Sequence, residues 1–297
     1  MAFRSGIVAL MGKPNVGKST LTNALVGQKV SIVGSRPQTT RRRAVGIVHG
    51  PNFQFGLVDT PGIHEPHTQL GKAMVDQAKS AVQDVDAIVV VVDSSSKPDA
   101  LDQSLAELLG SQSLKETPVI LCLNKMDRLK PEHVQAHVEL YCQLFRTEKY
   151  MLTRATTGDN LDKLCDLIVG ELPEQPPLFG EEDFTDQSAR FLVSELIREK
   201  VLLKSRQEIP YATAVLIEQW EEEPNLLRIG ASLLVERASQ KGILIGKHGA
   251  FIKAVGQEAR AEIEALLGRH VYLDLHVGVR ENWRMSHRVL RELEYME

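Results

Sequence analysis

An α/β domain with a doubly wound, mostly parallel sheet, followed by a smaller α+β domain, is what this 297-residue chain predicts. Three observations carry the expectation. Over residues 1–172 short apolar runs alternate with amphipathic stretches, the pattern of strands joined by crossover helices. The first run, Gly6–Met11, leads into a glycine-rich loop and then a stretch with Leu21 and Leu25 on one helical face. Past the proline- and acid-rich stretch Pro173–Asp183 the pattern changes to one long helix, two strands, two helices about a glycine turn, and a last strand. The expected limits are therefore 1–172 for the first domain, 173–187 for a linker and 188–297 for the second domain.

The elements follow in order. In the first domain the periodicity predicts helices over Leu70–Val82, Asp99–Leu109, Pro131–Phe145 and Asn160–Leu172. Ala44–Gly50 and Phe53–Asp59 flank the turn dipeptide Pro51-Asn52 and read as an antiparallel hairpin, while Ala87–Val92 and Val119–Leu123 read as buried strands. The second domain should open with a helix over Ser188–Gln207, followed by strands near Tyr211–Gln219 and Leu226–Glu236. Helices Ser239–Ile245 and Ala250–Leu267 and a strand over Val271–Val279 complete it, with Glu221–Glu223 expected in a solvated loop.

Composition narrows the class. An apolar content of 43% and a charged content of 25% are those of a soluble globular protein, and 297 residues suffice for two cores. Net charge is −4, so no global basic field attracts nucleic acid and any such contact must come from a local patch. Cys122, Cys142 and Cys165 form no C-x-x-C pair, which argues for reduced thiols rather than a disulfide framework or a zinc ribbon. The run Ala87–Val92 stops at Asp93, far short of the ~20 residues that span a bilayer. A strand under way by Gly6 leaves no room for a signal peptide, so a cytoplasmic protein is expected.

Four motifs carry chemistry. Gly12, Lys13, Pro14, Asn15, Val16, Gly17, Lys18, Ser19 and Thr20 satisfy the phosphate-loop pattern between a strand and a helix. Glycines at 12 and 17 let backbone N–H groups converge on phosphate oxygens, Lys18 supplies a point charge for the β- and γ-phosphates, and the Ser19 hydroxyl is placed to ligate Mg²⁺. Asp59-Thr-Pro-Gly62 ends a second strand, where the carboxylate reaches Mg²⁺ through water and the Gly62 N–H faces a γ-phosphate. The polar segment Arg36–Arg43, between a helix and a strand, reads as the first switch, with Thr40 (Thr39 as alternative) closing on Mg²⁺. The catalytic set is thus Lys18, Thr40 and Gly62. The run Arg41–Arg43 reads as a solvated face, and His64 and His67 as surface histidines.

The third motif, Asn124, Lys125, Met126 and Asp127, selects the base. Asp127 can accept from N1–H and N2–H₂ of guanine, a donor pair adenine lacks, and such a site discriminates by up to ~10⁴–10⁵. Lys125 offers its aliphatic stem to the purine, and Asn124 braces the phosphate loop. Thr153, Arg154 and Ala155 follow the next strand, where a backbone N–H meets guanine O6. Asn124–Asp127 argues against the alternative of a P-loop kinase or ATPase. Ile63, the residue after Gly62, cannot orient water, which predicts slow intrinsic hydrolysis.

The fourth motif is Gly246-Lys247-His248-Gly249, a turn whose glycines let a phosphodiester approach the backbone closely. From Arg237 through Gln257 there is no acid, while Arg237, Lys241, Lys247 and Lys253 are basic, and Ile243, Ile245 and Ile252 offer apolar surface. Single-stranded nucleic acid is the ligand this favours; a protein or membrane partner for the second domain is the alternative. Trp283 reads as packing the C-terminal helix onto the sheet ahead of stacking on a base.

On these motifs, with Arg36-Pro-Gln-Thr-Thr-Arg41, Val235–Ile243 and Glu281-Asn-Trp-Arg284, the chain resembles the Era-like family of bacterial GTPases along nearly its whole length. The resemblance implies a P-loop GTPase domain joined to a type II KH domain, GTP and GDP with Mg²⁺ as ligands, and binding to the single-stranded 3′ end of small-subunit (16S) ribosomal RNA. It further implies a role in maturation of the 30S precursor, peripheral association with the inner membrane, and a monomer. Asn15 resembles the pattern of GTPases that use K⁺ near the β–γ bridge, with loop bracing as the competing reading. The departures are Arg154, where serine is usual, and His248, where glycine or asparagine is usual.

Overall fold

The computed structural model describes residues 2–34, 39–62, 68–110 and 116–296. Two compact units make up the chain, one of residues 1–66 and 74–186 and one of residues 67–73 and 187–297.

The first unit is a six-stranded sheet in the order β2-β3-β1-β4-β5-β6. Its strands are β1 (Arg4–Met11), β2 (Ala44–Gly50), β3 (Phe53–Asp59), β4 (Ala87–Asp93), β5 (Val119–Asn124) and β6 (Tyr150–Leu152). All pairings are parallel except the β2–β3 hairpin, as Pro51-Asn52 requires. The helices are α1 (Lys18–Val26), α2 (Gln69–Ser80), α3 (Ala100–Leu109), α4 (Val134–Phe145) and α5 (Leu161–Glu171).

Strand alternation decides which helix covers which face. Val8, Leu10, Val89, Val91 and Cys122 point into a core with Leu21 of α1 and Leu164 and Ile168 of α5. Ala9, Met11, Val90, Val92 and Leu123 point the other way, against Leu105 of α3 and Val138 and Tyr141 of α4. Both faces being dry explains the near-continuous valine run of β4. Helix α3 starts where Asp99 caps the N–H groups of Leu101 and Asp102 while Asp102 returns a bond to the Asp99 N–H. The helix expected from Pro131 begins as a single tight turn over Pro131–His133 and becomes regular only at Val134.

The stretch 173–187 has the composition of a linker, yet as far as Asp186 it is bonded along the first unit. The Ser5 N–H donates to the Pro173 carbonyl and the Ile47 N–H to the Phe184 carbonyl. Gln54, 2% exposed, holds its middle: Oε1 accepts from the N–H groups of Leu178 and Phe179 at 2.8 Å each, and Nε2 donates to the Phe179 carbonyl at 3.0 Å.

In the second unit, α6 (Ala189–Lys204) and the short helix α7 (Ile209–Ala212) precede β7 (Ala214–Glu223) and β8 (Leu226–Val235). Then come α8 (Ala238–Ile245), α9 (Ala250–Leu267), β9 (Val271–Val279) and α10 (His287–Glu292). β7 and β8 are antiparallel; β9 adds parallel to β8, which needs the α8–α9 crossover. One face of the sheet packs against α6, α8 and α9 through Ile197, Leu244, Val255, Ile229 and Val277.

Three expectations need correction here. Helix α6 ends at Lys204, where Ser205 turns extended and caps the Val201 carbonyl. The first strand starts at Ala214 rather than Tyr211, because Pro210 seeds the turn of α7. Glu221–Glu223 is no loop but the end of β7, where Glu221 pairs with Arg228 across the ladder and Glu223 accepts from Arg228 Nε at 2.6 Å. Trp283 is fully buried and donates to the Ala212 carbonyl at 2.9 Å, the packing role. No helix among the described residues is long and apolar enough to cross a membrane.

Candidate nucleotide and nucleic-acid sites

The loop from β1 to α1 needs glycine at two places. Gly12 has φ +153° and a Cβ there would stand 2.4 Å from the Val91 carbonyl oxygen. Gly17, at φ +105°, would press a Cβ within 2.3 Å of Asn124 Nδ2. No side chain caps α1, so its first N–H groups face the loop interior as an anion cradle. Lys18 is buried, and its Nζ donates to the carbonyls of Gly12 at 2.9 Å and Lys13 at 3.1 Å, which holds the ammonium over that cradle. Burial pushes the Lys18 pKa down to about 8, with the Asp59 carboxylate opposing part of the shift. Burial likewise raises the Asp59 pKa, against the nearby Lys18.

Three oxygen donors converge beside this lysine. Ser19 Oγ lies 2.9 Å from Thr40 Oγ1, and Thr40 Oγ1 donates to Asp59 Oδ2 at 3.4 Å. Asp59 Oδ1 is buried with no hydrogen-bond partner. An orphaned carboxylate oxygen among hydroxyls is a hard donor set, which fits Mg²⁺ better than a softer transition metal. Thr40, not Thr39, is the threonine whose hydroxyl meets Ser19 and Asp59 in this cluster. Gly62 passes so close to the loop that a Cβ would meet Pro14 N and Cγ at 3.0 Å. A cavity of ≈ 50 Å³ is lined by Asn15, Gly17, Lys18, Ser19, Thr40 and Gly62 among others. Arg41, expected on a solvated face, is 1% exposed, so its side chain is not part of a surface charge run. Arg36, Pro37, Gln38, Ile63, His64 and His67 lie outside the described residues.

Asn124 ties three distant segments together. Its Nδ2 donates to the Val16 carbonyl at 2.9 Å, and its Oδ1 accepts from the Ala155 N–H at 3.1 Å and Thr153 Oγ1 at 3.3 Å. Of the 153–155 backbone N–H groups, one of them expected to meet guanine O6, that of Ala155 donates to Asn124 in this structure, and turn bonds from Thr157 and Gly158 to the Arg154 carbonyl follow it. Lys125 sits in the left-handed region, and its ammonium donates to the Asn15 carbonyl at 2.6 Å and pairs with Asp93 at 2.8 Å. The loop bracing attributed to Asn15 comes from that carbonyl, while the side chain is exposed. Asp127 is 36% exposed and its Oδ1 lies 3.8 Å from Arg154 Nε.

Sequence reasoning missed the acids behind the lysines. Asp93 anchors Lys125, and Asp99 and Asp102 hold Lys13 Nζ at 2.7 and 2.8 Å. Burial works to lower the Lys13 pKa, but the hydrogen bonds its ammonium donates to Asp102 and Asp99 raise it above its usual value. The available signal was Asp99-x-x-Asp102, a capping box that brings two carboxylates to one helix start.

In the second unit the turn between α8 and α9 contains three residues at positive φ: Gly246 at +72°, His248 at +52° and Gly249 at +75°. A Cβ on Gly246 would stand 2.8 Å from Phe251 Cβ, whereas Gly249 faces open space. Lys247, His248, Arg237 and Lys253 are exposed and Lys241 half-buried. Ile243 is 50% exposed, and Ile245 packs partly on the core. A groove of ≈ 270 Å³ runs between α9 and β9, with Ile252, Gly256, Leu273 and Leu275 as apolar lining and Lys253, Gln257 and Arg260 as polar lining. Arg260, Leu273 and Leu275 were not legible beforehand; Gly256, inside a helix and next to Leu275, was the available hint.

Comparison with known proteins supplies the context for this geometry. Residues 7–125 match the 50S ribosome-binding GTPase family and residues 208–284 the KH domain family. The chain is 45% identical over 296 residues to GTPase Era of Heliobacterium modesticaldum, covering 99% of this chain and 98% of that protein. It is 46% identical over 295 residues to GTPase Era of Rippkaea orientalis, covering 99% and 93%. Among solved structures it resembles Era in complex with MgGDPNP and nucleotides 1506–1542 of 16S ribosomal RNA, at 37% identity and TM-score 0.94, covering 99% of this chain and 100% of that one. An Aquifex aeolicus Era variant bound to GDP·AlF₄⁻ matches with the same identity, coverage and TM-score.

Proposed function

The chain belongs to the Era family of GTPases, and from that premise we propose that it is a guanine-nucleotide switch that grips the single-stranded 3′ end of 16S ribosomal RNA during small-subunit assembly. The observation that carries this reading is the presence in one chain of two separately built sites. One is a phosphate loop tied by Asn124 to a base-selecting segment, the other a glycine turn beside a basic and apolar groove. The solved Era of 37% identity holds a ligand of each kind, MgGDPNP and the ribosomal RNA segment.

In this reading Gly12–Thr20 cradle the phosphates, Lys18 neutralises charge at the β–γ bridge, and Asn124, Lys125, Asp127 and the 153–155 loop take the base. Ser19, Thr40 and Asp59 would hold Mg²⁺, which supplies charge neutralisation on the β- and γ-phosphates when bound. Gly62 offers its N–H to the γ-phosphate. Phosphoryl transfer needs positioning more than covalent chemistry, and with Ile63 unable to hydrogen-bond to water the unassisted rate should fall at or below the ~10⁻⁴ s⁻¹ scale. Asn15 contributes to a K⁺ site beside the β–γ bridge, so hydrolysis should run faster in K⁺ than in Na⁺; equal rates would remove that part.

The proposed limits are 1–172 for the first domain, 173–187 for the linker and 188–297 for the second domain. Arg237, Lys241, Lys247, His248 and Lys253 meet phosphates, Gly246 and Gly249 admit the backbone, and Ile243, Ile245 and the α9–β9 groove take the bases. Peripheral attachment to the inner membrane is tested by sedimentation with anionic vesicles. The principal test is binding of a labelled oligonucleotide copying the 16S 3′ end, at stated salt, with a GTP analogue or GDP. Tighter binding with the GTP analogue supports both sites and their coupling; no binding in either state discards the RNA half.

A further inference from the structure

Arg154 stands in the loop that closes the base site, and its backbone is fixed. Its N–H donates to the Asp159 carbonyl at 3.3 Å, and its own carbonyl accepts from the N–H groups of Thr157 and Gly158 at 3.2 and 3.0 Å. From that fixed origin the side chain reaches back to Asp127, where Nε lies 3.8 Å from Oδ1. Nε is itself buried and makes no hydrogen bond, so a donor stands one small rotation from the carboxylate. Lys125, two residues before Asp127, is committed to Asp93 and the Asn15 carbonyl.

We propose that Arg154 is a specificity-determining positioning residue: it holds the Asp127 carboxylate in the orientation that accepts two donors from the guanine edge. The inference rests on the assignment of Asp127 as the base-selecting residue. A lone exposed carboxylate rotates, and a rotated one offers a single acceptor to the purine. A guanidinium beside it limits that rotation and draws one lone pair aside, leaving the remaining acceptors facing N1–H and N2–H₂. The second of those donors is absent from hypoxanthine. Arg154 therefore contributes most to the difference between guanine and hypoxanthine, and less to affinity for the phosphates.

The test uses the full-length protein and three ligands: GDP, IDP and XDP. In R154Q and R154A, affinity for GDP should fall about fivefold with a smaller loss for IDP, so that the GDP:IDP ratio narrows, and R154K should retain part of it. In D127N, preference should move from GDP to XDP, and adding R154A to that background should leave the XDP affinity unchanged. An unaltered GDP:IDP ratio in both R154Q and R154A, or the same fold-loss of XDP on adding R154A to D127N as of GDP in the wild type, overturns the role of Arg154. Failure of D127N to change base preference overturns the assignment of Asp127 instead, so the two failures are distinguishable.

Discussion

The nucleotide site and the nucleic-acid groove solve opposite problems. The first assembles residues from five remote stretches (12–20, 40, 59–62, 124–127 and 153–155) and locks them with buried bonds such as Asn124 to Val16 and Ala155. Its charges are taken out of water, and the Lys18 and Asp59 pKa values move accordingly. The second is drawn largely from one contiguous stretch, Arg237–Arg260, with its cations on the surface and strain confined to one turn. A buried, preorganised cradle suits a small, highly charged ligand whose every oxygen must be met. An open groove with a backbone-accessible turn suits a polymer that must slide in and be released.

That contrast can be broken most forcefully at Lys18. K18A removes a charge bonded across the cradle and should cost about 10²–10⁴-fold in GDP affinity, measured by titration calorimetry, while oligonucleotide binding without nucleotide stays within about twofold. The reciprocal change, G246D, adds a negative charge and a Cβ that collides with Phe251; RNA affinity should drop about 10–100-fold with GDP affinity unchanged. Loss of both activities in either variant would mean the sites are not independent.

Acidity separates them more gently. The free protein's Lys18 is poised at about 8, so GDP binding should take up a proton and weaken as pH rises through about 8, where the neutral amine prevails. The same shift has a stability consequence of defined sign. A folded pKa below the unfolded value of 10.5 means that the unfolded chain binds more protons, so stability of the nucleotide-free protein should increase from about pH 8 toward 10.5. The smallest effect concerns Lys247: K247A should lower the slope of log affinity for single-stranded RNA against log salt by about 0.7 and leave the GDP slope untouched.

Legibility in the sequence followed the same contrast. Phosphate and guanine chemistry demands particular residue types at particular strand ends, so Gly12–Ser19, Asp59 and Asn124–Asp127 were readable from order alone. The supporting carboxylates of Asp93, Asp99 and Asp102 were not, because they reach Lys125 and Lys13 only after the sheet has folded. In the second unit the turn was readable but its groove was not, since Leu273 and Leu275 meet Gly256 through a parallel crossover that no local pattern encodes. Burial of Arg41 and strand pairing of Glu221–Glu223 escaped for a related reason: tertiary contacts overrode what local charge suggested.

The grip of Gln54 on the segment after α5 decides where this protein can be cut. Ending the chain at Leu172, where the periodic pattern stops, would leave three hydrogen bonds of a 2%-exposed amide to be replaced by water, each worth about 0.5–1.5 kcal/mol. It would also strip Phe179 from its packing against Val45, Ile47 and Val58, uncovering an apolar strip beside the hairpin. A fragment ended at Asp186 keeps both. The first unit on its own is therefore expected to need fourteen residues that have no helix or strand of their own.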